Sequence, residues 1–365
     1  MRQQWIDEYY MRQALELAPR GMGKTSPNPM VGCVLVKDGE VVGRGWHDHI
    51  GGLHAEAAAL LDAGEKARGS AAYVTLEPCS HQGRQPPCAP ALVRAGVVRC
   101  VAAAGDPNPL VAGRGFQILR DAGIEVICGV LEREALWLNR GFMSLQVRKR
   151  PWVTVKAAMS ADGTMALGNG ASQWITGADA RQTGHMLRSA NDAVLTGTGT
   201  LIHDNPALTV RQTEGRSPRP VILSSRLDFL ENSYQALRED TIVISCEGQI
   251  VPAQWAERVR LVPADAAGRP DLKAALEVLC SMGMARVLVE AGGTLCSSFI
   301  KAGLADEYQI FAAPMFMGEG RKITAAFHID SMSGAVPFRL LRCRNVGKDL
   351  WIEGGNPCSL DWLKQ

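Results

Sequence analysis

His54-Ala55-Glu56, the pair Pro78-Cys79 and the later Cys88 are the residues of this chain best suited to chemistry. One imidazole and two thiols are donors that zinc takes, and three protein ligands leave a fourth tetrahedral position for water. A carboxylate two residues beyond the histidine sits close to that water without having to bind the metal, where it can move protons. Each piece alone has a plainer reading. A lone histidine is usually a satisfied polar side chain, and a free cysteine usually a small buried hydrophobe. Their order, with Glu56 after the histidine and Pro78 before the first cysteine, favours a catalytic zinc over a structural one or none. His81 lies between the cysteines and could compete as a ligand, although His54, Cys79 and Cys88 already fill the protein positions of an open site.

This arrangement is that of the zinc-dependent base deaminases, in which the glutamate shuttles protons and is not a ligand. Their common signature ends in Cys-x-x-Cys, whereas eight residues, 80–87, separate Cys79 from Cys88 here. This insert, Ser80-His81-Gln82-Gly83-Arg84-Gln85-Pro86-Pro87, is accompanied by Ser26-Pro27-Asn28-Pro29-Met30-Val31-Gly32 and by Asp106-Pro107-Asn108-Pro109. Together they resemble the bifunctional pyrimidine deaminase/reductase family of riboflavin biosynthesis, from about Tyr10 to near residue 320. Two positions depart from the family pattern. Gln85 stands where Thr is usual, in the loop expected to face substrate, and Leu53 stands where Pro is frequent.

In the second half the chemistry is less local. Arg286–Glu290 reads as a strand, followed by Ala291-Gly292-Gly293 and a helix from about Thr294 to Ala302. Glycines there let backbone approach a pyrophosphate, and the unpaired helix N–H groups would face its charge. A plain turn fits the same residues, and no Gly-x-Gly-x-x-Gly supports a Rossmann fold. Lys156-Ala157-Ala158-Met159-Ser160-Ala161-Asp162-Gly163, Ser172-Gln173-Trp174-Ile175-Thr176 and Gly197-Thr198-Gly199-Thr200 with Asp204 and Pro206 are similar to the family's reductase domain. That resemblance implies a dihydrofolate-reductase-like fold that uses NADPH. It places Ala158, Trp174, Thr200, Asp204, Gly292, Gly293, Thr294, Leu295, Cys296, Ser297 and Ser298 on the cofactor, and Ser172, Arg188, Leu208, Arg211 and Glu290 on the substrate. Guanidinium forks suit a ribose phosphate, which makes physical sense of Arg188 and Arg211, although any one of them alone would read as solvated surface. Ser225 and Arg226 follow a strand and could meet the adenosine 2′-phosphate or form a simple turn. Asp204 is the acid/base candidate near hydride transfer, with Lys156 and Glu290 behind it; Asp204-Asn205-Pro206 could instead be only a turn, but the neighbouring motif favours function.

The elements that must position these groups alternate. Residues 7–20 read as a helix with Asp7 as N-cap and Pro19 near its end. Val31–Val36, the turn Lys37-Asp38-Gly39 and Val41–Gly45 read as a hairpin. His54–Ala63 and Cys88–Arg94 read as helices, Ala72–Leu76, Val97–Ala103 and Ile124–Cys128 as strands, so both halves of the metal motif fall at helix starts. Beyond the basic connector Arg148-Lys149-Arg150-Pro151, strands are expected at 152–156, 192–196, 220–224 and 241–245, and a helix at 272–282. Residues 229–269 carry ordinary strand and helix signals and no assignable chemistry. The expected architecture is therefore α/β: a three-layer α/β/α, cytidine-deaminase-like domain over 1–148, then a dihydrofolate-reductase-like α/β domain over 149–365.

A chain of 365 residues has length for two cores, and a net charge of +2 offers no electrostatic footprint for nucleic acid. No apolar run is long enough to span a membrane, the N-terminus lacks a secretory apolar region, and ten scattered cysteines suit free thiols in a cytoplasmic protein. The resemblance implies two consecutive steps. Zinc held by His54, Cys79 and Cys88, with Glu56 as proton shuttle and Asn28 against the pyrimidine, deaminates 2,5-diamino-6-ribosylamino-4(3H)-pyrimidinone 5′-phosphate. NADPH then reduces the ribosyl to a ribityl chain, in a homodimer or higher homo-oligomer formed through the reductase domain. A deaminase of another base whose second domain merely binds nucleotide, or an RNA-binding editing protein with a C-terminal recognition domain, are the competing functions; the near-neutral charge disfavours the latter.

Overall fold

The computed structural model describes residues 2–83, 85–108, 112–326 and 328–363. Arg84 of the insert, Pro109 of the Asp-Pro-Asn-Pro motif and the ends of the two expected domains at Met1, Lys364 and Gln365 lie outside them. The chain divides into two compact units, Met1–Arg148 and Lys149–Leu363.

The first unit runs α1 (Arg2–Leu17), β1 (Gly32–Lys37), β2 (Glu40–Trp46), α2 (Ala55–Ala63), β3 (Ala71–Val74), α3 (Cys88–Ala95), β4 (Arg99–Ala102), α4 (Arg114–Asp121), β5 (Glu125–Cys128), α5 (Glu132–Leu138) and α6 (Arg140–Met143). Its sheet is ordered β2-β1-β3-β4-β5. β1 is antiparallel to β2 and β3, and the later pairs are parallel. Lys37 pairs with Glu40, which leaves Asp38-Gly39 as a two-residue hairpin turn. Side chains alternate across a strand, so Cys33, Leu35, Ala72, Val74, Cys100 and Ala102 share one face and pack under Ala55, Ala59, Leu92, Phe116 and Leu119 of the helices. The helix α1 covers the opposite side, against β1, β3 and β4.

The opening helix starts at Arg2 and ends at Leu17, with a 3-10 turn over Ala18–Gly21. Asp7 is thus inside α1 and not its cap. Buried at 4% exposure, it takes both Arg99 forks at 2.7 and 2.9 Å and the Tyr73 hydroxyl at 3.0 Å. A tertiary ion pair claimed a residue whose type suggested a local cap.

The second unit runs β6 (Trp152–Ser160), β7 (Thr164–Leu167), α7 (Ala178–Ser189), β8 (Ala193–Gly197), α8 (Thr198–Asp204), β9 (Arg219–Leu223), β10 (Ile242–Cys246), β11 (Val259–Val262), α9 (Leu272–Ser281), β12 (Arg286–Glu290), α10 (Gly293–Lys301), β13 (Glu307–Ala313), β14 (Gly320–Lys322), β15 (Arg339–Val346), β16 (Asp349–Gly355) and α11 (Pro357–Trp362). Nine strands form one sheet, ordered β11-β10-β9-β8-β12-β6-β13-β16-β15. The run from β11 to β13 is parallel, and β16 and β15 add an antiparallel edge. Parallel strands covered on both faces read as continuous apolar runs. Accordingly Leu195, Val221 and Ile244 face one core, while Val194, Ile222 and Val243 face the other. Among the described residues no helix is long and apolar enough to cross a membrane.

Candidate active sites

In the first unit, small residues bring α2 onto β2. A Cβ on Gly45 would run into the Ala55 carbonyl, so glycine is required for that approach. This fixes the start of α2, where His54 is the N-cap residue in an extended conformation and its ring makes no cap. Its Nδ1 lies 3.5 Å from Cys79 Sγ and 3.4 Å from Cys88 Sγ. Cys88 opens α3, and its N–H donates to Cys79 Sγ at 3.3 Å. The His54, Cys79 and Cys88 donor atoms all lie within 4.8 Å of one another, a separation and donor set that fit a tetrahedral zinc.

Electrostatics reinforce the cluster. The Cys88 side chain, with His54 and the Cys88 N–H, pulls the Cys79 thiol down to about 4, while Cys88 itself is pushed up as the donor to that sulfur. Hydrogen bonding to Cys79 raises His54. Glu56, in the first turn of α2, is buried at 4% exposure. Burial, helped by the charge on Cys79, lifts its carboxyl to about 7.

Two further groups, Glu77 and His47, hold this site and carry no motif in the sequence. Glu77, buried just before Pro78-Cys79, accepts the N–H groups of Gly113, Gly115 and Phe116 at 3.0, 2.9 and 3.3 Å, which ties the cysteine loop to the start of α4. His47 Nδ1 faces the Leu53 carbonyl at 2.9 Å, and its Nε2 lies 3.2 Å from Asn28 Nδ2. With Nδ1–H donating to Leu53, Nε2 accepts from Asn28, and the amide is oriented by that bond. Burial keeps His47 below its ordinary value. Gln85 Nε2 donates to the Gly51 carbonyl at 2.9 Å. The only sequence signal for Glu77 was its charge at the end of an otherwise apolar strand, and for His47 its place in His47-Asp48-His49.

The second unit holds a cavity of about 970 Å³ lined by residues from the carboxyl ends of β6, β8, β9 and β12. This is where open parallel sheets bind ligands. Lys156, Ala158, Ser172, Trp174, Arg188, Thr200, Asp204, Leu208, Arg211, Ser225 and Glu290 all line it, as do Gly292, Gly293, Thr294, Leu295 and Ser298. Cys296 and Ser297 are fully buried behind the first turn of α10 and are not on the wall. Arg226 is not on the wall either; its head is 79% exposed, 3.8 Å from Asp228. Gly293 lies so close to the Lys322 carbonyl that a Cβ would overlap it. The Gly292 N–H donates to Thr200 Oγ1 at 3.0 Å, joining the starts of α8 and α10.

Arg188 and Glu290 form a two-point pair at 2.6 and 2.9 Å, and Lys156 Nζ stands 4.0 Å from the same carboxylate. Burial would raise Glu290, but Arg188 and then Lys156 hold it below its ordinary value. Arg188 also donates to the Thr209 carbonyl at 3.0 Å, so each of its nitrogens already has a partner. Arg211 donates to Thr209 Oγ1 at 3.1 Å, and its N–H bonds His185 Nδ1 at 3.2 Å. His185, buried and kept low by burial and by Arg188 and Arg211, is another cavity residue the sequence had not marked. Ser172 Oγ donates to Asp204 Oδ1 at 3.3 Å, and Arg181 lies 4.6 Å over the Trp174 ring.

Comparison with known proteins gives these sites a family. Residues 4–104 match the cytidine and deoxycytidylate deaminase zinc-binding region, and residues 151–352 match the RibD C-terminal domain. The chain is 41% identical to the riboflavin biosynthesis protein RibD of Escherichia coli K12, over 95% of this chain and 98% of that one. It is 42% identical to the same protein of Aquifex aeolicus, again over 95% and 98%. The structure of RibD from Acinetobacter baumannii superposes with a TM-score of 0.88 at 39% identity, covering 96% of this chain and 99% of that chain. A Thermotoga maritima diaminohydroxyphosphoribosylaminopyrimidine deaminase/5-amino-6-(5-phosphoribosylamino)uracil reductase superposes at 0.86 with 34% identity, covering 97% and 99%. With a deaminase zinc-binding region and a reductase region in the same order along nearly the whole length, the chain belongs to the RibD family of bifunctional deaminase/reductases of riboflavin biosynthesis.

Proposed function

We propose that residues 1–148 deaminate 2,5-diamino-6-ribosylamino-4(3H)-pyrimidinone 5′-phosphate and that residues 149–365 reduce the product's ribosyl group to ribityl. The observation that carries the first step is the convergence of the His54, Cys79 and Cys88 donor atoms within 4.8 Å beside the buried Glu56. These three residues would hold zinc, which when bound supplies Lewis acidity toward water at the reacting carbon. Glu56 takes the proton from that water and delivers it to the ring nitrogen and the departing ammonia. Asn28, whose amide is held by His47, would bond the pyrimidine.

In the second unit NADPH supplies the hydride. Ala158, Trp174, Thr200 and the wall residues of 292–298 would hold it, with the pyrophosphate against the N–H groups that open α10. Ser172, Arg188, Leu208, Arg211 and Glu290 would take the sugar phosphate. Because Arg188 is already committed to Glu290, Arg211 is the better placed phosphate donor, and Arg188 chiefly fixes Glu290. Asp204, near Ser172, and Lys156, near Glu290, are the proton donors for the opened sugar. The protein acts in the cytoplasm as a homodimer or higher homo-oligomer joined through the reductase unit.

Glu56→Ala tests the first step. Ammonia release is expected to fall on the order of 10²- to 10⁴-fold, while zinc stays at about one per chain. Loss of zinc in that variant would make Glu56 a ligand or a structural residue.

A further inference from the structure

At the β9–β11 side of the reductase cavity lies a cation without an assigned role. The loop 263–271 follows β11 and closes through the Asp271 N–H to the Pro263 carbonyl at 2.9 Å. The Cys246 thiol at the end of β10 reaches its Gly268 carbonyl at 3.5 Å. β10 lies beside β9, whose continuation is Ser224-Ser225. Ser225, Asp265 and Arg269 consequently line the same cavity as Gly292 and Gly293.

Within this loop Arg269 sets Nε and Nη2 on Asp265 Oδ2 at 3.1 and 3.0 Å. Asp265 Oδ1 takes the N–H groups of Ala267 and Arg269, both at 2.9 Å. The carboxylate is thereby neutralised, while Arg269 Nη1 has no partner among the described residues and the side chain is 46% exposed. Of the other lysines and arginines on the cavity wall, Lys156 and Arg188 are engaged at Glu290, Arg181 lies over Trp174, Arg211 bonds Thr209 and is assigned to the sugar phosphate, and Arg321 stands on β14 in the separate β7–β14 sheet.

We propose that Arg269, with the Ser225 hydroxyl, receives the 2′-phosphate on the adenosine ribose of NADPH and so sets the preference for NADPH over NADH. This rests on the reading of the cleft as the NADPH site. A planar, permanently charged fork suits a phosphate monoester. Asp265 gives the pair its second effect: released from Arg269, its carboxylate would repel that phosphate and accept a hydrogen bond from a ribose 2′-hydroxyl instead.

The test is calorimetric titration of the full chain with NADP⁺ and NAD⁺, on the wild type, Arg269→Gln and Arg226→Gln, with ammonia release as a control for the first unit. Arg269→Gln is expected to weaken NADP⁺ binding roughly ten- to hundredfold, with NAD⁺ binding unchanged to about twofold or tightened. Arg226→Gln is expected to bind both like the wild type. Equal weakening of both dinucleotides in Arg269→Gln, or a selective loss in Arg226→Gln instead, would overturn the assignment. A wild type that binds neither would remove the cofactor reading of the cleft itself, and a wild type that binds both equally would overturn the specificity role alone.

Discussion

The first unit gathers its donor atoms from two helix starts and one loop into a space of 4.8 Å, whereas the second spreads its polar groups around a cavity of about 970 Å³ at the ends of several parallel strands. In the compact site each residue is a direct partner of the next: His54 touches both sulfurs, and the Cys88 N–H supports Cys79. In the extended site the charges are paired with each other before any ligand arrives, Arg188 and Lys156 on Glu290 and Arg269 on Asp265. Losing one member of the compact site should therefore be close to all-or-none. The extended site should fail in steps, according to what each lost partner leaves uncompensated.

The largest effect should come from Cys79→Ser. Zinc is expected to fall from about one per chain to nearly none, with ammonia release abolished and NADPH consumption on pre-deaminated substrate intact. Metal analysis with the two separate assays decides this, and retained zinc would take Cys79 out of the site. Next comes Arg188→Ala, which leaves the Glu290 carboxylate, only 10% exposed, without its two-point partner. A cost of about 3 kcal/mol to the second unit is expected in chemical denaturation, together with loss of the NADPH step. A cost below about 1 kcal/mol would mean that Lys156 alone suffices.

Gly45→Ala should have a smaller effect and of a different kind. Its Cβ would collide with the Ala55 carbonyl and push α2 outward, at a cost of about 1–3 kcal/mol. Faster zinc loss to a chelator at unchanged ligand residues is the expected signature, and wild-type retention would show that α2 can shift without disturbing His54. The smallest effect is on pH dependence. Burial would raise Asp7, but the Arg99 fork, with Gln3 and Tyr73, more than offsets it and holds the carboxyl below its ordinary value. A folded-state value below the unfolded one stabilises above the unfolded value and is lost as pH falls through the folded one. The first unit should accordingly lose stability below about pH 4, and Asp7→Asn should flatten that slope at a cost of about 1 kcal/mol.

The same contrast explains what could be read from the residues alone. A metal site needs particular donor types brought together, here two at helix starts and one in a loop, so the cluster of His54, Cys79 and Cys88 was legible from type and spacing. The apolar runs at 193–195, 221–223 and 242–244 were legible as strands because both faces of a parallel strand are buried. Asp7 was misread as a helix cap because its partner Arg99 lies 92 residues away, and a cap and a buried ion pair ask for the same side chain. Glu77 and His47 act through backbone groups of distant segments, which leave no local pattern. Asp265 and Arg269 lie in a stretch without chemical signal, and only the neighbouring ends of β9, β10 and β11 bring them to the cavity.

The central claim is that two sites on one chain act in sequence. The most direct measurement follows ammonia and NADPH separately after zinc-replete protein is mixed with the diaminopyrimidinone ribosyl phosphate. Ammonia release that precedes a matching consumption of NADPH is the expected result. NADPH consumption without prior ammonia release, or ammonia with NADPH untouched, would contradict it.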